Sequence, residues 1–294
     1  ARIVTKSGVV TAYILGICIW LLASWTWFLL MLLFFFVTAH FTHYKYQVKR
    51  RHGAAQEKGG ARDWSHVLAN GGLPLSFVII CFLATQIIPL LFPTAFYGYG
   101  SSEVGSIPFT FPITSIFFAA FLGALATATA DTLATEIGLL NPSPPRLITK
   151  PWKVVPPGTS GGISLAGEFA TVLGTLLIGG AAALLAAPFW ISLTGSSLMP
   201  SLIQFAPITM LVVTVVGGIT GCTVDSLFGA TIQGMWRCKV CYKQTEKRKH
   251  CGESAEYLRG TKFFDNHMVN MISCLIGAFV AATLYITLLT FGIA

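Results

Sequence analysis

The sequence predicts an all-α polytopic membrane protein. It has about seven transmembrane helices, a single integral-membrane domain over residues 1–294 and a small cytoplasmic insert at 234–265. Three observations carry this. Apolar residues make up 54% of the chain and charged residues only 10%, under half the roughly 25% of a soluble domain. The apolar stretches are long and continuous, whereas a membrane barrel needs short alternating strands, and a bilayer admits nothing else. The basic residues gather in alternate loops. An ordinary cytosolic globule, a disordered tail and a coiled coil are excluded.

A span needs about 20 apolar residues. Residues 8–41 are too long for one helix and divide at a tight turn near 23–27, the alternative being one long tilted helix. The other spans are expected near 65–91, 111–140, 162–190, 203–233 and 266–291. In the third, Asn70-Gly71-Gly72 followed by Pro74 is expected to break the start of the helix. The N-terminal run behind Arg2 and Lys6 is expected to be a first span, since no small-residue cleavage site precedes a soluble domain. Of the 19 Lys and Arg, two precede the first span, six lie in 42–64, three in 141–161 and eight in 234–265. The loops 92–110 and 191–202 hold none. By the positive-inside rule, the N-terminus and the basic loops are cytoplasmic and the C-terminus is outside. The net charge of +8 thus serves insertion, with a remainder for phosphates or anionic lipid heads, and nucleic acid is not expected as a partner.

Ionisable residues within spans are costly and face a cavity or a partner. The fourth span carries Asp131 and Glu136, the fifth Glu168 and the sixth Asp225, and no Lys or Arg lies inside any span. These acids need protons, a metal ion or basic groups reaching in from the rim. Thr127, Asp131, Thr135 and Gly138 share one helical stripe, whereas Glu136 lies about 140° around from Asp131. Gly218, Gly221, Cys222 and Gly229 beside Asp225 allow close helix approach, which would bring Asp131 to Asp225. Two such carboxylates suit Mg²⁺ with phosphate oxygens as its other ligands. Asp131-Thr132-Leu133 and Asp225-Ser226-Leu227 echo one another, as two related halves or by chance.

Both acid-bearing spans end near the loop 141–164. There Gly158, Thr159, Ser160, Gly161, Gly162 and Ser164 open the fifth helix, and Arg146, Lys150 and Lys153 supply cations. A Gly/Ser/Thr turn at a helix start offers N–H groups to a phosphate, although no Walker A sequence is present. Glu168 would cap or line the pocket. Asn70, and Asp265-Asn266-His267 with Asn270, sit at the same level. Their amides could read a base, bind a phosphate oxygen or satisfy exposed backbone. In the insert, Cys238 and Cys241 followed by His250 and Cys251 give four soft ligands for a structural, tetrahedral Zn²⁺, the rival being a free dithiol. An insert without an apolar core of its own needs such a staple.

These segments resemble the integral-membrane family that contains the phytyl-phosphate kinases of plants and cyanobacteria, together with archaeal relatives. The matching residues are Arg62-Asp63-Trp64 with Asn70-Gly71-Gly72, Asp131 through Gly138, Pro145-Arg146-Leu147-Ile148-Thr149, Val155 through Ser164, Asp225 through Gln233, and Asp265-Asn266 with Asn270. The Cys-rich insert resembles prokaryotic members and suggests a prokaryotic cell membrane. The resemblance implies phosphoryl transfer, from CTP, onto a prenyl monophosphate such as phytyl or geranylgeranyl phosphate. Asp131 and Asp225 would hold Mg²⁺ with Glu136 as third acid, while Arg146, Lys150 and Lys153 would clamp phosphates cradled by 158–162. Two rivals share the acids: an ion-coupled transporter, and a lipid-phosphate cytidylyltransferase that would release pyrophosphate.

Overall fold

A computed structural model describes residues 4–51, 60–91, 110–185, 207–242, 244–246 and 248–292. The chain is an all-α polytopic membrane protein. The helices are α1 (Lys6–Leu22), α2 (Trp25–His43), α3 (Tyr46–Arg51), α4 (Trp64–Phe82), α5 (Ile88–Leu91), α6 (Thr110–Gly138), α7 (Leu165–Leu185), α8 (Pro207–Thr231) and α9 (Asn266–Thr290). Among the described residues six helices are long and apolar enough to cross a bilayer, with α4 extended to Ile87, and α1 is apolar but only 17 residues long. At about 1.5 Å per residue α1 rises roughly 25 Å, a little short of the ~30 Å hydrocarbon core. Among the described residues, then, six full-length spans and one shorter helix stand against the seven expected. The predicted loops 92–110 and 191–202 lie, almost entirely, outside the described residues.

The opening hairpin forms as expected. Ala23 ends α1 and Ser24 begins α2. The third span differs from expectation. Residues 70–74 do not break it; Pro74 sits inside the continuous helix α4. Proline removes a single backbone hydrogen bond, and packed neighbours tolerate that loss in a membrane helix. The irregularity falls later, as a π-helical turn at Leu83–Ile87 between α4 and α5.

Polar caps set the helix starts. Thr5 Oγ1 accepts from Gly8 N at 3.2 Å, Asp63 Oδ1 from His66 N at 3.3 Å, Ser164 Oγ from Gly167 N at 3.2 Å and Asp265 Oδ1 from Met268 N at 3.0 Å. Helix α6 is the hub, touching α2, α4, α7, α8 and α9. Its residues 118–122, 124–126, 128 and 130 are buried. Trp27 of α2 lays its ring 4.8 Å from those of Phe118 and Phe121. Lipid gives helices no hydrophobic reason to associate, so close packing must hold them. Glycine provides it: a Cβ at Gly217 would lie 2.6 Å from the Gly277 carbonyl, and one at Gly221 would collide with Thr127 Oγ1.

Small sheets occupy the basic end. β1 (Arg146–Leu147), β2 (Lys150–Val154) and β3 (Gly162–Ile163) form one, in the order β2-β1-β3. The insert holds a second sheet, β5-β4-β8, from β4 (Met235–Arg237), β5 (Gln244–Thr245) and β8 (Glu256–Arg259), and a hairpin of β6 (Lys249–His250) with β7 (Glu253–Ser254). Contrary to expectation the insert has some apolar core of its own. Met235 and Trp236 are buried, and Tyr257 meets the Trp236 ring at 6.2 Å.

Candidate functional site

Helices α6 and α8 bring Asp131 and Asp225 together at the basic end, close enough for the charge of Asp225 to act on Asp131. Both are half-buried. Asp225 Oδ2 accepts from Ser273 Oγ at 2.8 Å. With its amide oriented to donate, Asn270 reaches the same oxygen at 3.3 Å and the Asn266 carbonyl at 2.9 Å. Thus Asn270, whose amide is expected to read a base, bind a phosphate oxygen or satisfy exposed backbone, meets a backbone carbonyl and holds an acid in place. Among the described residues no hydrogen-bond donor meets Asp131. A half-buried carboxylate without a donor, beside a second carboxylate, is the donor set a hard divalent cation favours.

Glu136 is elsewhere. Its Oε2 pairs with Lys49 Nζ at 2.6 Å, both side chains almost wholly buried. Lys49, on α3, also donates to the carbonyls of Phe41 at 2.6 Å and Thr42 at 3.4 Å, at the end of α2. Five residues of helix turn Glu136 away from the Asp131 stripe, and Lys49 meets it there, so its expected place as third acid is not where the structure puts it. Arg62, 6% exposed, belongs to the same buried cluster and donates to Thr38 Oγ1 at 2.8 Å. Burial pulls its guanidinium down to about 10, with Glu136 opposing, so it stays cationic at neutral pH. Glu168 stands exposed in the first turn of α7.

The glycine turn lies against the acid helices. A Cβ at Gly161, whose φ is +76°, would sit 2.5 Å from Ala230, and one at Gly229 would sit 2.7 Å from Ser160 Oγ. Ser160 Oγ donates to Gln233 Oε1, and Gln233 Nε2 reaches Asn266 Oδ1 at 3.5 Å. The turn, the end of α8 and the start of α9 are therefore one connected layer. Gly158 also has positive φ, +81°, as its place in the turn requires. Other predicted phosphate ligands have local duties. Ser164 caps α7, Thr159 Oγ1 donates to the Pro156 carbonyl at 2.7 Å and Arg146 Nη1 to the Pro151 carbonyl at 2.9 Å. Gly162 N donates to the Thr159 carbonyl at 2.9 Å. Lys150 and Lys153 are exposed on β2. Asn70 donates to the His66 carbonyl at 3.0 Å.

In the insert the ligand atoms of Cys238, Cys241, His250 and Cys251 all lie within 4.8 Å of one another. Cys241 Sγ is 3.5 Å and Cys251 Sγ 3.2 Å from His250 Nδ1. The N–H groups of Cys241 and Val240 donate to Cys238 Sγ at 3.5 and 3.4 Å. The first of these does most to pull that thiol down to about 6. Partial loss of hydration, then the neighbouring thiols, push the exposed Cys251 up to about 11. Tetrahedral thiolate and imidazole ligands at ~2.0–2.3 Å from one ion need this spacing, so both His250 and Cys251 fit a zinc site. Glu246 of the insert lies near enough for its charge to act on both Asp131 and Asp225.

Over residues 1–278 the chain matches the family described as Integral membrane protein DUF92. It belongs to that family. It is 28% identical to Protein PGR of Arabidopsis thaliana over 259 residues, 87% of this chain and 81% of that one. It is 26% identical over 288 residues to the Uncharacterized membrane protein MJ0933 of Methanocaldococcus jannaschii, 98% of this chain and 88% of that one. A 174-residue match, 59% of this chain and 45% of the other, is 26% identical to Protein VTE6, chloroplastic, of Arabidopsis thaliana. The plant and archaeal kinship drawn from the motifs is borne out. No solved structure matches.

Sequence reasoning missed Lys49, Arg62, Gln233, Glu246 and Ser273 as members of these networks. Arg62 and Gln233 lie within the segments that resemble the kinase family, which is the one local signal they carry. Lys49 and Glu246 stand in charged runs, and nothing local separates them from their neighbours.

Proposed function

We propose that this protein is a CTP-dependent kinase that phosphorylates a prenyl monophosphate, phytyl or geranylgeranyl phosphate, to the diphosphate at the cytoplasmic face of the cell membrane. The observation that carries the reading is the Asp131–Asp225 pair, set on two helices beside the glycine turn and the basic loops. The resemblance to the phytyl-phosphate kinases supplies the reaction and the nucleotide. Sidedness follows the positive-inside rule, with the N-terminus and the site inside and the C-terminus outside.

An oxygen of the prenyl monophosphate attacks the γ-phosphorus of CTP. The bond from that phosphorus to the β-phosphate oxygen breaks, and CDP leaves with the electron pair. The acceptor is already anionic, so no side chain has to remove a proton. The task is to align two polyanions and neutralise them. Asp131 and Asp225 would hold Mg²⁺, which supplies that neutralisation when bound. Ser273 and Asn270 fix the Asp225 carboxylate. The 158–162 turn lines the donor phosphates, and Lys150 and Lys153, exposed on β2, close on them. Asn266, through Gln233, ties the turn to α9.

Purified protein given CTP, Mg²⁺ and geranylgeranyl or phytyl monophosphate should yield CDP and the lipid diphosphate. Pyrophosphate with a CDP-lipid would make it a cytidylyltransferase. Absence of turnover, with cation flux in liposomes, would make it a carrier.

The Cys238, Cys241, His250 and Cys251 cluster is proposed as a structural Zn²⁺ site that staples the insert. Elemental analysis of the purified protein should find about one zinc per chain. Cys238→Ser with Cys241→Ser should lose it and raise amide exchange throughout 235–259. Zinc retained in that variant would place the metal elsewhere.

A further inference from the structure

Away from the acid pair, α1, α2 and α4 enclose a groove of about 700 Å³. Its walls are almost entirely apolar. Val9, Tyr13, Gly16 and Trp20 line it from α1, a stripe at helical spacing, and Phe28 and Phe35 face them from α2. Val9 to Trp20 covers about 16 Å of helix rise, close to the depth of one bilayer leaflet. Its polar residues lie toward one end. Arg62 stands at the mouth, where α1 and α4 begin, with His66 and Asn70 one and two turns further along. That mouth adjoins the acid site: the His66 ring lies 5.4 Å from the ring of His267, in the first turn of α9. Three residues on, Asn270 holds Asp225.

We propose that this groove holds the single isoprenoid chain of the prenyl monophosphate, with its phosphate end toward Arg62 and His66. The proposal rests on the kinase reading for the identity of the chain. Three features commit it to that occupant. The volume falls in the range of pockets that enclose one small molecule, so it suits one tail and not two. The polarity runs in one direction, apolar along a leaflet and cationic at the end nearest the carboxylates, as a phosphorylated chain runs. The cation at that end is the guanidinium of Arg62, held by Thr38 Oγ1 beside Glu136, a fixed positive charge that draws an anionic end toward it. His66 is held toward the mouth by Asp63, whose Oδ1 lies 2.8 Å from its Nδ1. Glycine keeps the passage open: a Cβ at Gly16 would lie 3.4 Å from the Phe28 ring, and any larger side chain there enters the groove.

The test uses the full chain in nanodiscs and geranylgeranyl monophosphate carrying a terminal diazirine. Photolabelling should map to 9–20 and 28–36 and be competed by unmodified geranylgeranyl monophosphate. Gly16→Leu should lower the preference for geranylgeranyl over geranyl monophosphate about tenfold or more, read as kcat/KM or as competition against the label. Gly16→Ala, with only a methyl added, should shift it less and serves where the leucine variant does not fold. Label on other helices, competition by phosphatidylglycerol but not by the prenyl monophosphate, or unchanged preference in both variants would overturn the groove. Competed labelling of the groove without phosphoryl transfer would uphold it and refute the kinase. Transfer with the label elsewhere would do the reverse.

Discussion

Asp131→Asn and Asp225→Asn should each lower phosphoryl transfer by roughly three orders of magnitude, about 4 kcal/mol of transition-state stabilisation. Neither should unfold the protein. Asparagine keeps the shape of aspartate, and at position 225 it can still accept from Ser273. Two carboxylates set side by side oppose one another's charge, so neutralising either should cost the metal-free fold nothing. The sharper expectation is therefore a crossed pair of effects. Without Mg²⁺ each variant melts at or above the wild-type temperature. With Mg²⁺ the wild type gains stability, because an ion that binds only the folded state raises it by mass action, and the variants gain little. Thermal melts of the detergent-solubilised protein at graded Mg²⁺, beside the product assay, read both. Wild-type turnover in either variant, or an equal Mg²⁺ response in all three proteins, would sink the metal assignment. Ser273→Ala should fall between, since it loosens one carboxylate without removing a charge.

The parts of the site legible in the sequence are those that one helix or one turn determines. Helical pitch already separates Asp131 from Glu136, and the glycines around Asp225 already announce a close approach. Gly217, Gly221 and Gly277 then meet Thr127 and one another where the structure packs α6, α8 and α9. The Cys-x2-Cys and His-Cys pairs are close in sequence and close in space. What the sequence hides are partners chosen by tertiary packing. Lys49 and Glu136 stand 87 residues apart, and Lys49 reads as one of a run of loop cations. Asn270 and Ser164 read as ligand groups because amides and hydroxyls serve ligands and backbone alike; the fold uses them on Asp225 and on the start of α7. Pro74 misleads for a related reason. Its local preference is to end a helix, and packing against α1 and α6 overrides it.

Removing Glu136 should destabilise the protein more than removing Lys49, although they are partners. The pair is dry, with side chains 4% and 1% exposed. Breaking a buried ion pair from one side costs roughly 3–5 kcal/mol, because it strands the other charge. The two sides are unequal here. Arg62 is a second buried cation that feels the Glu136 charge. Lys49→Met leaves Glu136 with Arg62 still near it, so its loss lies toward the lower end, with the carbonyls of Phe41 and Thr42 losing a donor as well. Glu136→Gln leaves two buried cations and no anion, the costlier outcome. The double variant Lys49→Met with Glu136→Leu removes both charges and should recover part of the Glu136→Gln loss. Unfolding midpoints in detergent should therefore rank wild type highest, then Lys49→Met, with Glu136→Gln lowest and the double variant above it. Activity separates this from a third-acid role. A pairing residue lowers the amount of folded protein and leaves turnover per folded molecule near wild type, whereas an acid on the metal lowers turnover itself. A Glu136→Gln protein that melts like wild type and yet does not turn over would return Glu136 to the metal.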